Sequence, residues 1–417
     1  MRLLWAQDAF WPDMRGGGET KAYCLVTCLA RLGHKVDVLT RQTVPTGREH
    51  AVLGAVPIYR FETPKISDHL WRMRAWLRAR QWKRILSRFL GSRHSDYDGA
   101  IVFGEAIVHY LRRARPGMRI VMATGGTWYG SKAWSFDRPH GSLSMRIAGQ
   151  MSFAQYYAFE RLGHRAADYI VPESRNVREQ LMRLYHVTGR RVSVIGNGVD
   201  HNRFAPRPES RSRIRQSLGW PSDAFVVIGV GRLDRVKNYE YFIRSIALAA
   251  RKANVLGVIA GEGNQRNVLQ SLIEQLKTPE RIRLMGLRSD VPELLSACDA
   301  FLLPSMYEAY GLSWVEAMST GLPCLGLRRE FGIVNSAAEE HITHGVTGYL
   351  VDHASPADCA ARLIELADRP ELARRMGEAA RQIALEQYRW DLTAKKYVAL
   401  IESLPQKDRT EKHSEGI

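Results

Sequence analysis

A chain of 417 residues exceeds the size at which one hydrophobic core usually suffices, so two domains are expected, and 45% apolar content is that of an ordinary globular protein. No run reaches the roughly eighteen consecutive apolar residues of a spanning helix, and Met1 leads straight into the strand-like RLLWA without a cleavable signal pattern, so a cytosol-facing protein is expected. Of the net charge of +17, residues 1–200 carry +15 (31 Lys and Arg against 16 Asp and Glu), and that asymmetry points to a polyanionic partner: nucleic acid, an anionic bilayer or an acidic acceptor.

The first half alternates strand-like and helix-like stretches. RLLWA, KVDVLT, VPIYRF, GAIVFG, RIVMAT, DYIVP and RVSVI read as buried strands with helical patterns between several of them, hence a mostly parallel sheet covered on both faces. Between the first strand and a helix lies DMRGGGETKAY, whose three glycines let the backbone approach a diphosphate while the helix start offers free N–H groups. A glycine run alone is as often only a flexible turn. Cys24 and Cys28 sit one turn apart on that helix. With no C-x-x-C pair among the five cysteines and no histidine nearby, they suit a packing stripe, and reduced thiols suit the cytosol.

Residues 65–93 carry two apolar stripes. Leu70, Met73, Trp76 and Leu77 share one helical face, and Trp82, Ile85, Leu86 and Phe89 share another well rotated from it. One straight helix would not bury both, so two short amphipathic segments meeting near residues 79–81 are expected. Trp71, Trp76 and Trp82, set among Arg78, Lys83, Arg84 and further cations, suit contact with lipid headgroups; the plainer alternative packs both stripes on the domain's own sheet.

His201 to Asp223, with three prolines and many polar residues, reads as a linker. FVVIGVGRLDRVKN then opens a second series of strands, continued by VLGVIAGEG, RIRLMG, AFLLP, PCLGL and YLVD. Arg232 and Lys237 lie just beyond its first strand, where two cations would neutralise a diphosphate; elsewhere they would be ordinary surface charges. Within residues 299–326, AFLLP reads as a short strand, SMYEAYG as a loop, and LSWVEAMST as a helix closed by Gly321 and Pro323. Glu308 then stands at the carboxyl end of a strand, the edge at which open α/β sheets bind ligands. The N–H groups around Gly311 and Leu312 can hold an anion, and Glu316, one turn in, can accept from sugar or ribose hydroxyls. That combination suits a nucleotide sugar, although two glutamates eight positions apart are by themselves most often solvated helix-end residues. Residues 355–404 read as two or three amphipathic helices, the last bearing Trp390, Leu392, Tyr397 and Leu400. PQKDRTEKHSEGI lacks an apolar pattern and is expected to be disordered.

Six stretches accompany the Glu308/Glu316 pair in order: GGGET at 16–20, ADYIVPES at 167–174, VIGNGVDHNRFAP at 194–206, GVGRLDRVKN at 229–238, AGEG at 260–263 and GVTGYLVD at 345–352. Together they resemble the retaining glycosyltransferases of the GT-B fold, glycosyltransferase family 4 above all. The resemblance implies an α/β protein of two Rossmann-like doubly wound domains facing across a cleft. Residues 1–205 would form the acceptor side and 206–388 the nucleotide-sugar side, with helix 389–404 crossing back to the first domain ahead of a disordered 405–417 tail. It implies that Arg232, Lys237 and the backbone of Gly17 and Gly18 bind the diphosphate of a UDP- or GDP-sugar, with Gly311 and Leu312 at the helix start. Glu316 would hold the ribose and Glu308 orient the sugar, and Glu308, Arg232 and Lys237 form the catalytic set. No side chain has to be a nucleophile, and no motif implies a metal, PLP or another cofactor.

Two further matches carry less. Glu340 aligns with a family glutamate, but paired glutamates at a helix end are commonly solvent-facing. Asp96-Tyr97-Asp98 fits the D-x-D pattern by which unrelated glycosyltransferases hold a metal, yet it lies at a turn where Asp is commonplace. One departure stands out: many relatives place a histidine at the end of the RIVMAT strand, beside the donor sugar's hydroxymethyl group, where this chain has Gly125 and Gly126. Trp128, Asp137 and His140 are the downstream candidates for that contact. The basic first half and its tryptophan-arginine segment imply a peripheral enzyme on an anionic cytoplasmic membrane face. Its acceptor would be lipid-linked: a lipopolysaccharide core, a polyprenyl-diphosphate glycan or a glycolipid. The alternatives are a soluble acceptor and a non-catalytic nucleotide-sugar sensor on the same scaffold; a nucleic-acid binder would explain the charge but leave every motif a coincidence.

Overall fold

The computed structural model describes residues 1–10, 17–42, 50–64, 66, 73–92, 96–127 and 143–405. The chain divides into two compact units, Met1–Gly196 with Trp390–Ile417, and Asn197–Arg389. The division falls ahead of residue 205 because Val199 and Phe204 are already buried in the second core. Nor is 201–223 a linker. It holds the helix Pro208–Ser217, from which the buried Arg215 guanidinium donates to the carbonyls of Ala297 and Ala224 at 2.9 Å each and pairs with Asp299 at 2.5 Å.

The first unit is built on seven strands, β1 (Arg2–Gln7), β2 (Lys35–Gln42), β3 (His50–Leu53), β4 (Val56–Glu62), β5 (Gly99–Phe103), β6 (Ile120–Thr124) and β7 (Tyr169–Pro172), in the order β3-β4-β2-β1-β5-β6-β7. Every pair is parallel except β3–β4, a hairpin whose two-residue turn is made possible by Gly54 at φ +60°. The parallel strands are apolar on both faces, which is why six of the seven expected runs become β1, β2 and β4 to β7. RVSVI is the exception. Val192 bridges Ile170, and the N–H groups of Ser193 and Ile195 reach the carbonyls of Ile170 and Pro172, short of a full ladder. Strand order reverses at β1, so the switch point lies between β1 and β5.

Two helices of this unit bear on function. Trp390, Ala394, Tyr397 and Ile401 of the helix Trp390–Ser403 recur at spacings of four, three and four. They bury against Ala22, Leu25, Val26 and Leu29 of the helix Gly17–Arg31. Gly99, at the start of β5, leaves the room, since a Cβ there would lie 2.7 Å from Ile401. The segment expected to break near residues 79–81 is instead one continuous helix, Arg74–Gly91. Its Ala75, Ala79, Trp82, Ile85, Leu86 and Phe89 are buried on a single face. Met73 and Trp76, from the other stripe, are exposed. A straight helix accommodates both stripes because only one of them packs on the protein.

The second unit has a six-stranded, wholly parallel sheet. Its strands are β8 (Phe225–Val230), β9 (Val255–Ala260), β10 (Ile282–Gly286), β11 (Ala300–Leu303), β13 (Cys324–Leu327) and β15 (Gly348–Val351), ordered β10-β9-β8-β11-β13-β15. The short strands β12 (Tyr307–Glu308) and β14 (Asn335–Ser336) form a separate parallel ladder beyond its carboxyl edge. Here the order reverses at β8, which puts the switch point between β8 and β11. Among the described residues no helix is long and apolar enough to cross a membrane.

Candidate active site

The loops leaving β8 and β11 flank the switch point of the second sheet, and they bring together two residues far apart in sequence. Lys237 Nζ donates to Glu308 Oε2, and both side chains are mostly buried. Lys237 is fixed by a single turn of 3₁₀-helix whose cap, Asp234, accepts its N–H at 3.3 Å. Arg232 goes elsewhere: 79% exposed, it reaches Asp234 at 3.1 Å and stands clear of the pair. The AGEG turn after β9 explains how the β8 loop is held. A side chain on Gly261 or Gly263 would collide with the carbonyls of Gly231 and Leu233, so the two loops can share the hydrogen bonds Gly231 N to Ala260 O and Leu233 N to Glu262 O.

Beyond Glu308 the chain turns through Gly311 into the helix Leu312–Ser319. Gly311 has φ +85°, and any Cβ there would strike the Trp314 ring, so both backbone and packing demand glycine. The first N–H groups of that helix have no intrahelical acceptor and form its positive end. Glu316 follows one turn later, with no hydrogen bond or ion pair to its carboxylate among the described residues. Burial pushes its pKa up to about 7, against the opposing charge of Arg203. His341, which no sequence pattern singled out, anchors the turn. Its Nε2–H donates to the Tyr310 carbonyl at 2.7 Å, which leaves Nδ1 to accept from the Tyr388 hydroxyl at 3.0 Å. Burial lowers its pKa to about 4, so it keeps this neutral tautomer at ordinary pH. The Tyr310 hydroxyl completes the clamp on the Asn197 carbonyl at 2.7 Å.

Two family models divide the chain between them: Glycosyltransferase Family 4 matches residues 15–203, and Glycosyl transferases group 1 matches residues 210–383. The chain belongs to the family 4 type of GT-B glycosyltransferases. Among curated proteins it is 26% identical over 221 residues to the N-acetyl-alpha-D-glucosaminyl L-malate synthase of Bacillus anthracis, covering 53% of this chain and 56% of that one. It is 36% identical over 144 residues to the UDP-Gal:alpha-D-GlcNAc-diphosphoundecaprenol alpha-1,3-galactosyltransferase of Escherichia coli, covering 34% and 37%. The chain thus spans about half the length of the first of these and about a third of the second. In fold it is similar to the sucrose-phosphate synthase of Thermosynechococcus elongatus, with a TM-score of 0.78 over 96% of this chain and 98% of that one at 17% identity.

In the first unit, Gly17 and Gly18 open the helix Gly17–Arg31 and are exposed, with open space where a Gly18 side chain would be. Gly16 lies outside the described residues, as do Trp71, Trp128, Asp137 and His140. The space above Gly125 is filled: a Cβ there would lie 3.1 Å from Glu173 Oε1 and 3.2 Å from the Phe103 ring. Glu173 is itself held by Lys21 Nζ at 2.7 Å, a buried pair beside the Phe103 ring. Burial opposes the Lys21 charge, yet Glu173 holds its pKa above the ordinary value. A carboxylate thus lies against the point from which the expected histidine would project.

Of the tryptophans assigned to membrane contact, Trp82 is not available. It is 2% exposed and donates Nε1–H to Asp8 Oδ1 at 2.8 Å, the same carboxylate that Arg41 holds at 2.9 Å. Trp76, 44% exposed, keeps its ring beneath the Arg80 guanidinium at 5.5 Å. Lys83, Arg84 and Arg88 continue the exposed face, and Arg78 is drawn toward Asp8 at 3.9 Å. Asp98 of the D-x-D tripeptide accepts from the Arg2 N–H at 2.7 Å, an ordinary turn role. Glu340 is half-buried, with its carbonyl oxygen 3.4 Å from the Tyr388 hydroxyl oxygen, whose proton goes to His341.

Proposed function

We propose that this chain transfers a glycosyl group from a UDP- or GDP-sugar to an acceptor hydroxyl with retention at the anomeric carbon. The observation that carries the reading is the Lys237–Glu308 pair at the switch point, followed within a turn by the helix start at Gly311 and Leu312 and then by Glu316. Lys237 and the exposed Arg232 meet the diphosphate, whose charge grows as the glycosidic bond breaks, and the N–H groups at the Gly311–Leu312 helix start add to the same stabilisation. Glu316 accepts from the ribose hydroxyls, and Glu308 orients the sugar ring. No side chain acts as nucleophile: the leaving phosphate oxygen takes the acceptor's proton while the cations hold its charge, and each such donor group is worth ~3 kcal/mol of barrier. The test is incubation with a panel of UDP- and GDP-sugars, following nucleotide release with and without cell-envelope lipid extract. A sensor would bind without release.

The acceptor in this reading is a lipid-linked glycan of the cell envelope, reached by a peripheral enzyme on the cytoplasmic leaflet, with no part for nucleic acid. Support comes from the +15 first half and from the exposed face of Arg74–Gly91, where Trp76, Arg80, Lys83, Arg84 and Arg88 border a cavity of about 820 Å³. The Escherichia coli relative is named for a diphosphoundecaprenol-linked acceptor. A soluble acceptor is the second reading, favoured by the relative named for L-malate. Lipid extract that leaves nucleotide release unchanged, while a water-soluble glycan raises it, would select the second.

A further inference from the structure

The functional reading gives Lys237 to the diphosphate and Glu308 to the sugar, yet in the structure each is the other's partner. Lys237 is the sole side-chain partner of the Glu308 carboxylate among the described residues. A nucleoside diphosphate carries more negative charge than one carboxylate and draws the ammonium away. Glu308, mostly buried, would then face the sugar without a group to hold it, and a desolvated carboxylate that loses its partner is strongly disfavoured.

A second donor stands ready. Tyr239 begins the helix Tyr239–Ala249 directly after the Lys237 turn, and its ring is 1% exposed, edge-on to Phe242 at 6.2 Å between centroids. Its hydroxyl is buried and makes no hydrogen bond among the described residues. The hydroxyl lies under Gly231, where a Cβ would stand 3.0 Å from it and 3.7 Å from Lys237 Cε, so the phenol and the lysine stem share one side of the β8 loop. Burial first, then the facing charges of Glu308 and Asp234, raises the phenol's pKa well above the usual value. Asp234 is already engaged, one oxygen by the Lys237 N–H and the other by Arg232. Glu308 is the carboxylate left to receive the phenolic O–H.

We infer that Tyr239 is a positioning residue that takes over Glu308 when a nucleoside diphosphate takes Lys237. The ion pair of the free protein is a resting arrangement. Binding exchanges it for two contacts, ammonium to diphosphate and phenol to carboxylate, and fixes the carboxylate for the sugar. This rests on the donor-site reading above and assigns the donor nothing further. It also accounts for a buried phenol where a phenylalanine would pack as well and leave no polar atom unsatisfied.

The test is a double-mutant cycle read by calorimetric titration with UDP and with GDP, using Tyr239→Phe, Glu308→Gln and the pair, each checked by thermal melting. Tyr239→Phe is expected to weaken nucleotide binding about tenfold, because Glu308 is left without a donor in the bound state. On the Glu308→Gln background the same substitution is expected to change affinity less than about twofold. Equal affinity of wild type and Tyr239→Phe would overturn the handover alone, as would the same loss on both backgrounds, which marks a structural effect independent of Glu308. Failure of the wild-type protein to bind either nucleotide would overturn the donor-site reading, and the handover with it.

Discussion

Glu316 shows how a single residue ties environment to binding. Burial raises its pKa to about 7, so near neutrality the carboxyl is only partly ionised, whereas a carboxylate is the form that accepts from two ribose hydroxyls. Binding therefore favours loss of the proton. Affinity for UDP or GDP is expected to rise with pH up to about 7 and level off above it, falling toward about tenfold per unit on the acid side. Glu316→Gln should bind more weakly at pH 8 and show no such slope; a wild-type affinity flat between pH 5 and 8 would remove Glu316 from the ribose site. Residues of this kind differ in how far the sequence exposes them. The places of Lys237 and Glu308 beyond β8 and β11, and of Glu316 one turn into the following helix, were legible from chain order, whereas the roles proposed for them come from the resemblance. His341 and Tyr239 were not so legible. Their roles depend on hydrogen-bond partners, Tyr310 and Tyr388 for the one and an unfilled hydroxyl for the other, which only the packed structure supplies.

The helix Arg74–Gly91 shows where periodicity misleads at the scale of an element. Two stripes imply two segments only if both are buried, whereas only the Ala75 to Phe89 face packs on the protein, with Trp82 tied to Asp8. The tryptophans therefore separate by consequence. Trp82→Ala should destabilise the protein by about 3–5 kcal/mol, since it empties a core position and takes one hydrogen-bond donor from Asp8. Trp76→Ala should stay within about 0.5 kcal/mol. Chemical denaturation measures both, and equal costs would mean that the helix does not present the face described. The strands were legible for the opposite reason: a parallel strand covered on both faces is one apolar run, with no choice of face to get wrong. The β3–β4 hairpin escaped notice because its first strand, HAVL, is short and polar at its start.

Across the whole molecule, the number of α/β units, most of their parallel strands and the return of the last helix followed from length, alternation and resemblance. The seam between the units did not, because prolines and polar residues in 201–223 suggested a linker where Phe204, Arg215 and Trp220 are in fact buried. Charge is the other property of the whole chain. With nearly all of the basicity in the first half, each cation near an anionic bilayer contributes about 1 kcal/mol, so four or five together give reversible, salt-sensitive attachment. The protein should sediment with anionic vesicles at low salt and release at high salt. Because Trp82 is structural, the variant that should lose binding is Trp76→Ala with Lys83→Glu and Arg84→Glu; equal sedimentation of that variant, once shown to be folded, would assign the membrane role elsewhere.

In the proposed glycosyl transfer, Lys237 and Glu308 form the working centre. Nucleotide release from the panel of UDP- and GDP-sugars, compared between the wild-type protein and Lys237→Ala, addresses it directly. With lipid extract present, one donor should give steady release by the wild type, and the variant, shown by its melting transition to be folded at the assay temperature, should fall by at least about a hundredfold. Wild-type release from no donor, or release by Lys237→Ala equal to the wild type, would contradict it.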